Sequence, residues 1–251
     1  MRLSGDTDIG LVRSTNQDAF MSGRFENGAA WAIVCDGMGG PGGGSIASEI
    51  AIETISSKLT ECCRSEMGET ALRHCMEVAV QLANRRIYDI ARQNPELLGM
   101  GTTAVVVIAR ETSAYIFHVG DSRVYALTED GLTRLTKDHS MVQVMLDRGE
   151  LTEEEARTDP RKNILTRALG VDETVEFEYT LAEFPKGSKL LLCTDGLFNT
   201  VEEAEILRLA GEWDTDALPE KLIAKANQNG GGDNITAVVI ENEFFVKGDA
   251  A

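Results

Sequence analysis

Apolar positions along this chain follow two rhythms. Short runs at 31–35 (WAIVC), 104–109 (AVVVIA), 114–119 (AYIFHV), 122–127 (SRVYAL), 188–193 (SKLLLC) and 235–240 (ITAVVI) are rich in β-branched or aromatic residues and bounded by turn formers, which predicts strands. Val175, Phe177, Tyr179 and Leu181 alternate with polar or small residues, the pattern of a strand with one wet face. The second rhythm is helical. From Ser45, a candidate N-cap, Ile46, Ala47, Ile50, Ala51 and Ile55 recur on one face. From Glu69 the stripe Leu72, Met76, Ala79, Val80, Ala83, Ile87 and Ile90 runs several turns and stops before Pro95. Ser140 with Gln143, Thr152 with Glu155, and Thr200 with Glu203 have the spacing of capping boxes. Leu218, Leu222, Ile223 and Ala226 mark a last helix.

The order is strands, two successive helices, a run of strands, short helices, strands, helices, strand. That is not regular βαβ alternation. It predicts an α+β architecture, antiparallel sheets with helices packed outside. No internal repeat or low-complexity linker interrupts the chain, so residues 1–251 read as one domain.

Composition narrows the function classes. Hydrophobic residues make up 43%, which excludes disorder. Five cysteines, Cys35, Cys62, Cys63, Cys75 and Cys193, show no CxxC spacing and read as reduced thiols. The N-terminus lacks an apolar h-region, and no segment approaches about 18 uninterrupted apolar residues, so the expectation is a cytoplasmic protein without a membrane partner. With 41 acidic against 24 basic residues the net charge is -17, and nucleic acid is a poor partner for that surface.

The placement of the acids adds more. Asp36 ends the run 31–35, and six of the following eight residues are glycine. Asp121 follows YIFHVG, Asp195 follows KLLLCT, and Asp233 precedes NITAVVI; each sits beside a glycine. One such aspartate reads as a turn residue. Four favour a different account, because turns do not require the same acid each time. If these strand ends meet, their carboxylates repel one another, and divalent cations reverse the sign. Magnesium and manganese suit oxygen donors and need few carboxylates each. Gly37, lacking a side chain, can turn its carbonyl to a metal. A phosphate-cradling P-loop fails, since no Lys-Ser or Lys-Thr follows the glycines. Arg13, in GLVRSTNQDAF with Asp18, reads either as a surface arginine or as a fork for phosphate oxygens.

The segments RSTNQD (13–18), DGMGG (36–40), GTT (101–103), VGDSR (119–123), LTRALG (165–170), LLCTDGL (191–197) and GGDNIT (231–236) occur in that order. Together they resemble the bacterial branch of the metal-dependent protein phosphatases, the protein phosphatase 2C family, from Asp8 to about Glu241. The resemblance implies a central sandwich of two antiparallel β-sheets flanked by α-helices. It implies hydrolysis of phosphoserine and phosphothreonine in proteins with two core manganese or magnesium ions and a weaker third. By position, Asp36 would bridge two metals, the Gly37 carbonyl would serve one, and Asp195 and Asp233 the other. Asp18 would hold metal-bound water, Asp121 with Asp195 would make the third site, Arg13 would hold phosphate, and Asn234 would support the Asp233 loop. Residues 141–168 match the family's mobile flap, where substrate choice resides; the plain alternative is a solvated helical insert. Gln17, Met38, Pro41–Gly44 and Asp159 depart from the family pattern, at positions that bear on leaving-group protonation and on the flap.

The mechanism so implied is attack by a hydroxide bridging the two ions, without a covalent phosphoenzyme. Cys35 and Cys193 lack the following arginine of a CxxxxxR loop and read as buried strand residues. His139 reads as a helix-start residue or one approaching the active site, His118 as a core histidine and His74 as surface. Two rivals stay open: a pseudophosphatase interaction module, and a hydrolase of small phosphoesters. The expected partners are phosphorylated proteins and an opposing serine/threonine kinase, and the default oligomeric state is a monomer.

Overall fold

The computed structural model describes residues 1–40, 42–62 and 67–243. In chain order these form β1 (Arg2–Asp8), β2 (Asp18–Arg24), β3 (Ala30–Met38), α1 (Gly43–Cys62), α2 (Glu69–Gln93), β4 (Gly101–Thr102), β5 (Ala104–Arg110), β6 (Ser113–Val119), β7 (Arg123–Thr128) and β8 (Gly131–Arg134). There follow α3 (Met141–Asp147), α4 (Glu153–Thr158), β9 (Glu178–Glu183), β10 (Lys189–Cys193), α5 (Asp195–Phe198), α6 (Glu203–Glu212), α7 (Leu218–Gln228) and β11 (Ile235–Glu241). One sheet runs β1-β11-β10-β7-β8, the other β2-β3-β5-β6-β9 with β4 beside β3. Every pairing among these strands is antiparallel.

The continuous apolar runs have a simple cause: the central strands are covered on both faces. Along β3, Ala30, Ala32 and Val34 point between the sheets, where they meet Val238 and Ile240 of β11 and Leu190 and Leu192 of β10. The alternate residues Trp31, Ile33 and Cys35 point outward into α1 and α2. On the far side Leu191, Cys193, Ala237 and Val239 face α6 and α7. Three apolar layers thus separate four layers of structure, helices, sheet, sheet, helices. The expected sandwich is the observed one. Burial of the Cys193 thiol pushes its pKa up to about 12, and burial raises Cys35 as well, so both sit protonated in their strands. Cys63 lies outside the described residues. No helix among the described residues is long and apolar enough to cross a membrane.

The α2 stripe is buried as the spacing predicts, from Leu72 to Ile87. Thr152 and Glu155 form both halves of the capping box of α4. Ser140 caps α3, but Gln143 turns its side chain to Asp147 instead of back to the cap. Two helix starts differ from expectation. α1 begins at Gly43, and the Ser45 hydroxyl donates to the Gly42 carbonyl from within the first turn. The Thr200 hydroxyl donates to Gly196 and Leu197 carbonyls, closing α5, and α6 begins later at Glu203. The outer strand predicted around 175–181 is β9, shifted to Glu178–Glu183, while Val175 and Phe177 pack on the core before it. β1, β2 and β8 carry no apolar run, because β1, β2 and β8 are edge strands with one half-exposed face.

Candidate metal centre and phosphate site

Strand register brings the first two carboxylates together. Asp18 opens β2 directly opposite Asp36 near the end of β3. Asp36 lies beyond WAIVC because β3 continues past its apolar run toward the rim of the sheet. Gly37 and Gly44 then allow α1 to approach: a Cβ on Gly37 would lie 2.1 Å from the Gly44 carbonyl oxygen. Two glycines of the stretch, Gly37 and Gly44, are therefore required by close backbone packing of α1 against β3. The second sheet supplies two more acids, and the β6–β7 crossing between the sheets supplies Asp121. Asp195 is the first residue of α5, just past β10, and Asn199 donates to its carboxylate at 3.0 Å. Asp233 stands before β11, where it accepts from Arg13 at 2.8 Å. Asp121 follows β6 through Gly120, whose φ of +101° and whose absent Cβ, which would fall 2.5 Å from Thr103, leave no room for another residue.

Asp36, Asp121, Asp195, Asp233, Arg13 and Gly37 line one cleft of about 210 Å³, with Met38 on its wall and Asn163 and Leu165 reaching it from the segment 141–168. Asp18 lies behind it, its Oδ2 accepting from the hydroxyls of Thr194 at 2.8 Å and Thr236 at 2.7 Å. The electrostatics of so many acids are plain. Burial, reinforced by Asp18, Asp195, Asp121 and Asp233, holds the Asp36 carboxyl well above the usual carboxylate range. Burial and Asp195 push Asp121 up to about 8. Burial pushes Asp18 up to about 7 against its two hydroxyl donors, and burial with Asp233 pushes Asp195 up to about 6. The hydrogen bond and charge of Asp233 raise Arg13 further above its ordinary range.

Hydroxyls and one amide, none singled out from the sequence except Asn234, hold this arrangement. Asn234 accepts from the Gln17 N–H and donates to the Ile9 and Thr15 carbonyls, stapling the Arg13 loop to the Asp233 loop. Thr103 accepts from the Asp36 N–H at 2.9 Å, donates its own N–H to the Asp36 carbonyl, and shares a 2.7 Å hydroxyl contact with Ser122. Thr103, Ser122, Thr194 and Thr236 are the unexplained letters of GTT, VGDSR, LLCTDGL and GGDNIT; their place within the motifs was the available signal.

A second cluster lies nearby. His118, His139 and Glu178 bring ligand-type atoms within 4.8 Å of one another, which no three of the aspartates do. Its hydrogen bonds argue against an ion. The Gly120 N–H donates to His139 Nδ1, so the His139 proton is on Nε2, facing Glu178 at 3.2 Å. His118 Nε2 lies 2.8 Å from the Lys137 carbonyl. The two rings stack 4.6 Å apart at 15°, so their in-plane lone pairs cannot meet at one point. Burial lowers both imidazoles, His139 to about 4, and both are neutral. His139 does precede α3 as expected, but its work is to hold the Gly120 peptide ahead of Asp121. His118 is a core histidine with Nδ1 unpartnered, and His74 is exposed.

Comparison with known proteins agrees with this architecture. Residues 12–216 match the sequence profile described as Protein phosphatase 2C. The chain is 40% identical over 247 residues to the serine/threonine phosphatase stp of Listeria innocua, with 96% of each chain covered. It superimposes on the S. agalactiae serine/threonine phosphatase with a TM-score of 0.88 at 35% identity, covering 96% of this chain and 99% of that one. The catalytic domain of the phosphatase PstP, solved in complex with two manganese ions, matches with a TM-score of 0.82 at 34% identity, covering 95% and 96%. The chain belongs to the protein phosphatase 2C family and is a serine/threonine protein phosphatase.

Proposed function

We propose that this cleft hydrolyses phosphoserine and phosphothreonine in proteins, using manganese or magnesium held by its aspartates. The observation that carries the reading is the convergence of Asp18, Asp36, Asp121, Asp195 and Asp233 beside a single hydrogen-bonded cation, Arg13. The donors are all oxygen, the type that hard divalent cations prefer. Burial and mutual repulsion hold these carboxyls above their ordinary range despite the nearby cations, an environment that a bound divalent cation would relieve. Asp36, the Gly37 carbonyl, Asp195 and Asp233 would hold two core ions, and Asp121 with Asp195 a weaker third. When bound, the ions supply Lewis acidity and a water of lowered pKa as nucleophile.

The remaining roles belong to the chain. Asp18, fixed by Thr194 and Thr236, orients water at the back of the cleft. Arg13, half-exposed and paired with Asp233, would turn its fork to the phosphoryl oxygens once that carboxylate is engaged elsewhere. The Thr103 hydroxyl in the cleft wall is committed to Asp36 and Ser122, and Cys35 and Cys193 are buried and protonated, which supports direct hydrolysis without a covalent phosphoenzyme. The flap, whose Arg157 makes an exposed ion pair with Glu202 just before α6 and whose Asn163 and Leu165 line the cleft, closes one side of it and selects substrate. A serine/threonine kinase would supply its phosphoproteins.

The test is phosphate release from phosphothreonine and phosphoserine peptides and from p-nitrophenyl phosphate, with manganese, magnesium or chelator. Activity on both peptides that vanishes in chelator is expected. Persistence in chelator, or hydrolysis of the small ester alone, overturns the proposal. Arg13→Ala is expected to lower kcat/KM for phosphopeptides by about two orders of magnitude, since it removes a charge-assisted contact that strengthens as charge spreads in the transition state. Steady-state kinetics of Arg13→Ala and Arg13→Lys check this; unchanged kcat/KM would remove Arg13 from the phosphate site.

A further inference from the structure

We propose that the stack of the Arg123 guanidinium on the Phe198 ring is a positioning element that sets the Asp121–Asp195 edge of the cleft for its cation. The inference rests on the reading above that these two carboxylates share the weaker third ion. Asp121 is two residues before Arg123, and Asp195 is three residues before Phe198. Each half of the stack is thus tied by a few backbone bonds to one of the two carboxylates, and Arg123 of β7 stands opposite Cys193 of the neighbouring β10, two residues before Asp195. The Arg123 Cζ lies 3.6 Å from the centre of the Phe198 ring.

The guanidinium is locked in orientation. Its Nε donates to Asp138 Oδ1 at 3.1 Å and its Nη2 to Asp138 Oδ2 at 2.7 Å, while Nη1 donates to the Tyr125 hydroxyl at 3.0 Å. Asp138 is itself nearly buried and also receives Arg134. With its edges committed, Arg123 offers Phe198 a fixed face. The opposite half is equally short of freedom. α5 is a single turn, and Asn199 binds Asp195 through both backbone and side chain. Phe198 and Asp195 therefore move as one unit. The stack acts as a strut between the start of β7 and α5.

Phe198 is only half-buried, so its substitution is compatible with folding. The experiment is a manganese titration of the full chain followed by electron paramagnetic resonance of free Mn²⁺, which counts bound equivalents without any turnover. Three equivalents are expected in the parent protein. In Phe198→Leu the weakest is expected to weaken roughly tenfold, the usual scale for losing a supporting group behind a ligand, with the two tighter equivalents, which keep Asp36 and Asp233, weakened several-fold less. Phe198→Tyr keeps a ring face over Arg123 and is expected to restore parent affinity. Parent-like binding by Phe198→Leu, equal weakening of all three equivalents, or no rescue by tyrosine overturns the inference. Asp121→Ala separates the two levels. It is expected to lose the weakest equivalent; if it retains all three, or if the parent protein binds only two, the third-site reading falls and the strut falls with it.

Discussion

Asp36→Asn is expected to abolish phosphopeptide hydrolysis while making the metal-free protein more stable. Asp36 faces Asp18 across the β2–β3 ladder and is pressed by Asp195, Asp121 and Asp233. In the unfolded chain its carboxyl ionises freely. In the folded metal-free chain it either ionises against its neighbours or holds a proton above its ordinary range, and both cost stability. An amide of the same shape removes that cost. It also removes the carboxylate proposed to bridge the ions, whose loss forfeits several kcal/mol of transition-state stabilisation, about three orders of magnitude or more in kcat/KM. At pH 8 in chelator the thermal midpoint should rise, a gain of about 1 kcal/mol reading as roughly 2–4 °C in a chain of this size. Activity within tenfold of the parent, or a lower midpoint, would contradict the account.

The second large effect is an inverted pH dependence. Asp18 and Asp121 have folded pKa values of about 7 and about 8, and Asp36 is raised as well. Their unfolded values are near 3.8, so between these limits the folded state binds more protons than the unfolded state. Stability then falls as pH rises through the folded values. His118 and His139 have lowered values, so their contribution rises with pH only up to the unfolded histidine value of 6.5. Above 6.5 the carboxylates act alone among these groups. The metal-free protein should therefore lose thermal stability from pH 6.5 to 8. Manganese, which needs the ionised carboxylates, should restore it by an increment that grows over the same interval. Thermal denaturation in chelator and in manganese at pH 6.5, 7.2 and 8 checks both. A metal-free midpoint that climbs across this range, or a manganese increment independent of pH, would contradict it.

Parts of this protein are readable because local physics dictates them. The Leu72-to-Ile87 stripe has no other low-energy use than an amphipathic helix, and WAIVC, AVVVIA and ITAVVI have none other than doubly covered strands. The same runs announce where Asp36, Asp121, Asp195 and Asp233 stand, since each acid flanks the end or the start of an apolar run. β1 and β2 were illegible for the complementary reason: RLSGDTD and DAFMSGR become strands only because β11 and β3 offer an edge to pair with. The starts of α1 and α6 depart from the capping pattern because that spacing recurs by chance, and tertiary packing sets them at Gly43 and Glu203.

What the chain order alone determined is the chemistry on offer: aspartates at the ends of apolar strands, an arginine ahead of Asp18, and glycines where backbones must approach. What only the tertiary structure decided is their company. Asp18 receives two threonine hydroxyls from the other sheet, Arg13 reaches Asp233 across 220 positions, and Asp121 is set by His139 and Thr103. Such partners are distant in sequence and are selected by sheet register and layer packing, which a local pattern does not encode.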